Sequence, residues 1–469
     1  MRIGILTIIA LLITCLASAQ VLITNTTVVD VENKKLLPNQ YVMVQNGKIT
    51  YIGGKMTARK GTQVIDGSGK FLIPGLVDTH MHFFQSGGVF TRPDQIDLRK
   101  YKPYSEEIAW THNNMENTLR RYSSAGITTV VDVGSTINFL IQRDSFRTKD
   151  YAPTVYMTGP LLTTFEPPEY KGLQNDGPFY EMKTVEDARN YVHKQLPYKP
   201  DFIKIAYLVW GSNKDSLARS FLPLVKAAID ETHKLGLRVA VHATERITAQ
   251  LAAEAGVDHL VHVTLDELIK PEFVQLLKSK NIVVSSSQIV FGGYSTVFGQ
   301  NYRLNETDSY YSHPAPLQTL VDFKNLPDTA LLNELLNSVK NDQVRERRRD
   351  SILGVNLKRL AEGGVPVATS TDGGNIGTPH VSSYFRELEV MKESGLDMWQ
   401  LLQSSTINGA KAVGKENIFG SIHENKRADM VLLRKNPLES IDNWKTIDWV
   451  INKGVAWKSD TLFMRSVLK

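Results

Sequence analysis

The sequence predicts an α/β fold: a (β/α)8 TIM-type barrel with a small β-sandwich domain built from the N- and C-terminal segments. Three observations predict it. Strand-like and helical runs alternate across roughly 300 central residues, the rhythm of a parallel barrel. An incomplete β run lies at each end of that block. Residue types that ligate metals recur at the C-terminal ends of successive strands, where such a barrel gathers its chemistry. The expected division is a signal segment over 1–19, a composite β-sandwich from 20–73 plus 415–469, and the barrel over 74–414.

In chain order, Arg2 supplies a positive start, Ile3 to Leu16 are almost wholly apolar, and Ala17-Ser18-Ala19 is a small-residue cleavage signal. The apolar run is short for a membrane span, so export to a periplasm or the exterior with cleavage before Gln20 is expected. No stable membrane insertion is expected after cleavage. Cys15, the only cysteine, lies inside this segment. As a lipid-attachment site it is a poor fit, because Thr14 precedes it. The mature chain then has no disulfide and no thiolate ligand, so any metal must be held by His, carboxylates or a modified lysine.

The 469 residues carry 42% hydrophobic and 22% charged side chains and a formal net charge of +5, an ordinary globular composition. No basic patch interleaves with aromatics, which argues against a nucleic-acid partner. From Val21 to Ile73 the chain reads as strand and turn, and Asn46-Gly47 favours a type I′ hairpin. The strands Ala428–Leu433, Ile447–Ile451 and Val455–Trp457 echo it at the far end. Each piece is too small to bury its faces alone, so the ends are expected to pair. Two independent hairpin modules are the alternative.

The barrel strands are placed at Leu76–His82, Thr128–Val133, Thr154–Thr158, Phe202–Ala206, Arg238–His242, His259–Val263, Ile282–Ser286 and Val367–Asp372. Amphipathic helices are expected over Leu222–Leu235, Ala249–Ala255, Pro271–Lys280 and Val344–Glu362. The connection from Val290 to Asn341 is unusually long. Its aromatics and prolines (Pro314, Pro316, Pro327) suggest an ordered lid or pocket wall. The run Arg345–Asp350 is read as the solvated start of the next helix.

The strand ends carry the chemistry. His80 and His82 alternate on one strand and so point the same way. Lys204 sits between isoleucines, a costly place for an unpaired ammonium. His242 ends the fifth strand as a candidate ligand, with a core histidine as the alternative. His259 and His262 compete for one role; His262 is chosen as nearer the strand end, and His259 is read as packing. Asp372 either caps the Gly373-Gly374 turn or serves as a catalytic carboxylate.

These residues sit in a recurring context: Pro74-Gly-Leu-Val-Asp-Thr-His-Met-His82, Gly126-Ile-Thr-Thr-Val-Val-Asp-Val-Gly134, Phe202-Ile-Lys204-Ile, Val241-His242-Ala and Gly256-Val-Asp-His-Leu-Val-His262. Ser370-Thr-Asp372, Arg386-Glu-Leu-Glu389, Thr406-Ile-Asn-Gly-Ala-Lys-Ala412 and Lys426-Arg-Ala-Asp-Met-Val431 continue it. Together they resemble the amidohydrolase superfamily, within it the imidazolonepropionase-like and prolidase-like metal-dependent hydrolases. The resemblance implies that His80, His82 and Asp372 ligate a buried divalent metal. It implies that a carboxylated Lys204 bridges to a second metal on His242 and His262. It makes Asp372 the proton shuttle, two Zn2+ the expected ions, and a homo-oligomer the expected assembly.

Two departures leave the substrate open. Ala206-Tyr-Leu-Val-Trp-Gly211 replaces the small stretch usual after the lysine, and Val261-His262-Val263 replaces Glu-His-Gly. The implied reaction on a small molecule is attack of a metal-activated hydroxide on an amide carbonyl, with Asp372 carrying the proton to the leaving nitrogen. A dipeptide or N-acyl amino acid is the first expectation; Arg246, Tyr207 and Tyr156 are candidate carboxylate anchors to which nothing in the sequence assigns a role. A cyclic amide, lactone or phosphoester hydrolysed with one metal is the second, and a non-catalytic metal-binding protein the third.

Overall fold

A computed structural model of the chain describes residues 20–462. The expected signal segment and Cys15 lie outside the described residues. Among those described, no helix is long and apolar enough to cross a membrane.

The two ends of the chain meet in one sheet. Val21–Asp30, Lys35–Gln45, Lys48–Gly53, Gln63–Asp66 and Phe71–Pro74 join Met430–Leu433, Ile447–Asn452 and Val455–Lys458 as eight strands. The seam is antiparallel, with Val431 opposite Ile73 and Leu432 opposite Leu72. Asn46 and Gly47 both take positive φ, at 52° and 75°, as a type I′ turn demands. The hairpin then folds back on the C-terminal segment: Ile49 N donates to Lys426 O, and Ala428 N to Gly47 O, each at 2.9 Å.

Strand alternation explains why these runs are apolar throughout. Leu72, Met430 and Leu432 join Val21, Ile23, Val42 and Ile65 in the core of the composite sheet. Their neighbours Ile73, Val431 and Leu433 point the other way, into the main core with Leu119, Ile127 and Trp444. At the seam between the two ends both faces are therefore buried, and this part of the sheet packs against the central block.

That block is a TIM-barrel-type arrangement of parallel strands. Leu76–Met81, Ile127–Asp132 and Thr154–Met157 form a three-stranded arc. Leu161–Thr163, Phe202–Ala206, Arg238–His242, His259–Leu260, Val283–Ser285 and Val367–Ala368 form a second, with Phe179–Glu181 at its edge. Backbone hydrogen bonds link the first and last strands: Thr79 N donates to Thr369 O at 3.1 Å, Asp372 N to His80 O at 2.7 Å and His82 N to Gly373 O at 2.8 Å. All eight expected strands are present in order. The third is continued by Leu161–Thr163 after a break at Gly159-Pro160, where proline offers no ladder donor. Several strands stop short of their expected ends, so His82, His262 and Asp372 sit on irregular backbone just past the pleat.

The helices differ more. Lys214–Lys234 runs straight through Pro223 instead of starting beside it. Thr329–Glu362 is one helix of 34 residues, with Arg345–Asp350 in its middle and not at its start. The long connection is helical, at Ile289–Phe298, Glu306–Tyr311 and Pro314–Asp322. Pro314 takes the first helical position, where a missing N–H costs nothing. Val297, Leu317, Leu320 and Phe323 bury against Val89, Ile96 and Leu98 of the loop after the first barrel strand. The connection is a packed wall.

The shared core gives a test. Leu432→Ala empties a fully buried position at the seam between the two ends and is expected to cost about 2–5 kcal/mol. Val64→Ala, on the same sheet but 54% exposed, should stay within about 0.5 kcal/mol. Chemical denaturation of both variants checks the difference.

Candidate metal centre

All six residues singled out in the sequence converge. The first strand delivers His80 and, one step past its end, His82; their Nε2 atoms lie 3.2 Å apart. Asp372 arrives from the turn after the eighth strand and places Oδ1 3.2 Å from His80 Nε2 and 3.1 Å from His82 Nε2. His262 stacks edge-on to both His80 and His242, with ring centroids 4.8 and 4.5 Å away. Its Nε2 is 3.8 Å from Asp372 Oδ2. Lys204 is buried in the fourth strand, close enough to affect the ionisation of His80, His242 and His262.

Local backbone makes this geometry. Asp372 adopts φ 55°, a left-handed conformation that Asp tolerates better than most residues. Gly374 follows at φ 105°, and a Cβ there would lie 2.6 Å from the His82 carbonyl oxygen, so only glycine lets the turn pass this close.

Partners on the far side of each ring aim the nitrogens. His82 Nδ1–H donates to Gly134 O at 2.7 Å, which leaves its Nε2 facing Asp372. His80 Nδ1 pairs with Ser287 Oγ at 3.2 Å, and Ser287 with Ser370 at 2.6 Å. Asp132, whose carboxylate accepts from Phe83 N at 3.1 Å and Gly134 N at 3.2 Å, lies 3.6 Å from His82 Nδ1.

Charge follows from these neighbours. Burial alone would disfavour a charged His82, yet Asp132 and Asp372 together lift it to about 9. Burial dominates at His80, which has only Asp372 to offset it and falls to about 4. Burial opposes ionisation of Asp372, but His80 and His82 hold it well below the usual carboxylate range. Burial pushes Lys204 down to about 7, against the pull of Asp372 and Asp132.

The donor set fits a cation. The Nε2 atoms of His80 and His82 and one oxygen of Asp372 converge closely enough to share an ion. Both ring nitrogens of His262 are buried without a hydrogen-bond partner. Such nitrogens are costly unless something else satisfies them. His259 is different: its Nε2 pairs with Ser285 Oγ at 2.6 Å, a packed histidine as expected.

The expected carboxylate anchors are engaged elsewhere. Tyr207 donates to Ala218 O, Tyr156 stacks on Phe419, and Arg246 binds Glu267 at 2.5 Å. Sequence reasoning missed Ser287, Asn375, Arg92 and Tyr294. Asn375 donates to Asp372 Oδ1 at 2.7 Å, and Arg92 and Tyr294 both donate to Asn375. The run Ser285-Ser286-Ser287 ending an apolar strand was a readable signal. Nothing in the spacing marks Arg92, ten residues past His82 in an irregular loop.

Comparison with known proteins shows the family and the fold. The profile described as the amidohydrolase family matches residues 71–456. An imidazolonepropionase of Caldanaerobacter subterraneus subsp. tengcongensis is 22% identical over 438 residues, 86% of each chain. A Xaa-Pro dipeptidase crystallised with methionine in its active site superposes with a TM-score of 0.69 and 21% identity, covering 94% of this chain and 100% of that one. Phenylurea hydrolase B superposes with the same TM-score at 17% identity, over 94% and 98%. At these identities the solved structures bear on the fold alone.

Glu387 braces the centre from behind. Its buried carboxylate accepts from Gln288 N at 3.0 Å and Ile289 N at 3.1 Å, fixing the segment that carries Ser287. Burial raises it to about 7 from an ordinary 4.5. Between those values the folded chain holds a proton that the unfolded chain has released, so Glu387 makes stability fall as pH rises through that window. Glu387→Gln should flatten the slope of stability against pH there by one proton relative to wild type, measured by denaturation from pH 4.5 to 7. An unchanged slope counts against the assignment.

Proposed function

The chain belongs to the amidohydrolase family and is a hydrolase acting on carbon–nitrogen bonds; on that premise we propose that it cleaves a linear amide, a dipeptide or an N-acyl amino acid. The observation that carries this is the cradle of His80 Nε2, His82 Nε2 and Asp372 Oδ1. These three would hold one divalent ion. Lys204, once carboxylated, would share a second with His242 and His262; zinc suits this nitrogen and oxygen set. The neutral amine that carboxylation needs is accessible because burial lowers Lys204 to about 7.

Divalent ions there would supply Lewis acidity toward a carbonyl oxygen and acidify water. The remaining work falls to the chain. Asp372, with Oδ1 turned to the histidines, has Oδ2 to accept the proton of the attacking water and pass it to the leaving nitrogen. An amide nitrogen is a poor leaving group unless protonated, so this transfer is required for the bond to break. Gly134 and Ser287 hold the two imidazoles in register. Phe84, 5.6 Å from His82, and Phe291, 6.1 Å from His262, supply apolar walls that limit water beside the reacting groups.

Opening of a cyclic amide is the second reading, favoured by the similarity to imidazolonepropionase along most of the chain. Metal analysis and a substrate panel separate the two. Wild type is expected to carry near two ions per chain, falling on Lys204→Ala, and to hydrolyse dipeptides or N-acyl amino acids. One ion, unchanged by the substitution, with turnover confined to cyclic amides, would overturn the linear-amide reading. We also place the mature chain outside the cytoplasm; intact mass of the purified protein should give an N-terminus at Gln20.

A further inference from the structure

The hydrogen bonds around Asp372 extend beyond the ion cradle into a network that has a direction. Asn375 Nδ2 donates to Asp372 Oδ1 at 2.7 Å and to the Asp372 backbone carbonyl at 3.0 Å. Its own Oδ1 accepts from Arg92 Nη1 at 2.5 Å and from the Tyr294 hydroxyl at 2.7 Å. An amide edge that receives two donors must be the oxygen, so the side chain has one orientation and its NH2 must face Asp372.

Arg92 is committed in turn. Its Nε and Nη2 grip Asp94 at 2.8 and 2.6 Å. Its Nη1 reaches Asn375 and, at 3.1 Å, the Tyr294 hydroxyl. Four of the five or so guanidinium donors are thus in use, and Asp94, itself bonded by Tyr170 at 2.7 Å, balances the charge. This arginine is spent inside the protein and does not present a free fork to a substrate carboxylate. Tyr294 donates to Asn375 and accepts from Arg92, which commits its only O–H to the amide.

We propose that Arg92 and Tyr294 act through Asn375 as a positioning clamp on Asp372. The clamp commits Oδ1 to the ion cradle and reserves Oδ2, on the His262 side, for the proton. Without it the carboxylate can rotate and exchange its oxygens. The three residues come from the loop after the first strand, the first helix of the long connection and the turn after the eighth strand, which gives the long connection a role in the chemistry. The inference rests on the reading of the centre as a metal site and not on the substrate assigned to it.

The test uses Co2+ as the probe, titrated into metal-free full-length protein against a chromophoric chelator, with the visible spectrum recorded. Asn375→Ala should weaken Co2+ binding about 10–100-fold and alter the spectrum, because the oxygen offered to the ion is no longer fixed. Arg92→Lys, which cannot hold Asp94 and Asn375 together, should do nearly the same. Tyr294→Phe, which leaves Arg92 in place, should cost a few-fold. Metal-free melting temperatures of Asn375→Ala and Tyr294→Phe should stay near wild type. Wild-type affinity and spectrum in Asn375→Ala would overturn the clamp, as would a weakening matched by a large fall in metal-free melting temperature. A wild type that takes no Co2+ would overturn the metal reading and the clamp together. A silent amide panel with these variants responding as expected would sink the substrate reading and leave the clamp standing.

Discussion

Two imidazoles and a carboxylate share a space about 3 Å across inside a nearly dry interior, and the rest of the structure depends on keeping them there. Such groups repel one another's hydration requirements and lose the water that would satisfy them. They stay together because each is held from behind: His82 by Gly134, His80 by Ser287, Asp372 by Asn375. The cost of a buried polar cluster is offset by bonds whose far ends are anchored in strands and turns.

Those anchors depend on the composite sheet. Phe71–Pro74 leads straight into the strand that carries His80, and Gly75 N donates to Asp429 O at 2.8 Å. The C-terminal strand Met430–Leu433 therefore fixes the entry point of the first barrel strand from more than three hundred residues away in sequence. Alternation lets one layer serve two cores, with Leu432 facing one and Val431 the other. The sheet is a clamp on the barrel's first strand.

The long connection is a second scaffold. Its helices could not stand alone, since the shortest has six residues, well below what is stable in water. Burial of Leu317, Leu320 and Phe323 against Val89 and Leu98 holds them, and Tyr294 packs on the same cluster. A lid that opened freely would give up this apolar contact.

Alternation and strand-end position, which are local properties of the chain, pointed to the strand order, the pairing of the ends and the candidate positions at the centre, and the family resemblance supplied their roles. The period of two put His80 and His82 on one face, and strand-end position made His242, His262 and Lys204 candidates. Asp372 was legible as a carboxylate in a glycine turn, but its φ of 55° and its hold on His80 O belong to the folded chain. The expected helix Leu222–Leu235 began too late, because the helix Lys214–Lys234 runs through Pro223. The residues that orient the centre were invisible. Arg92 and Asn375 lie 283 positions apart, and Tyr294 comes from a helix with no strand register to place it. Their meeting is decided by how the two strand arcs come together and by packing of the connection, which are long-range terms that no local spacing encodes.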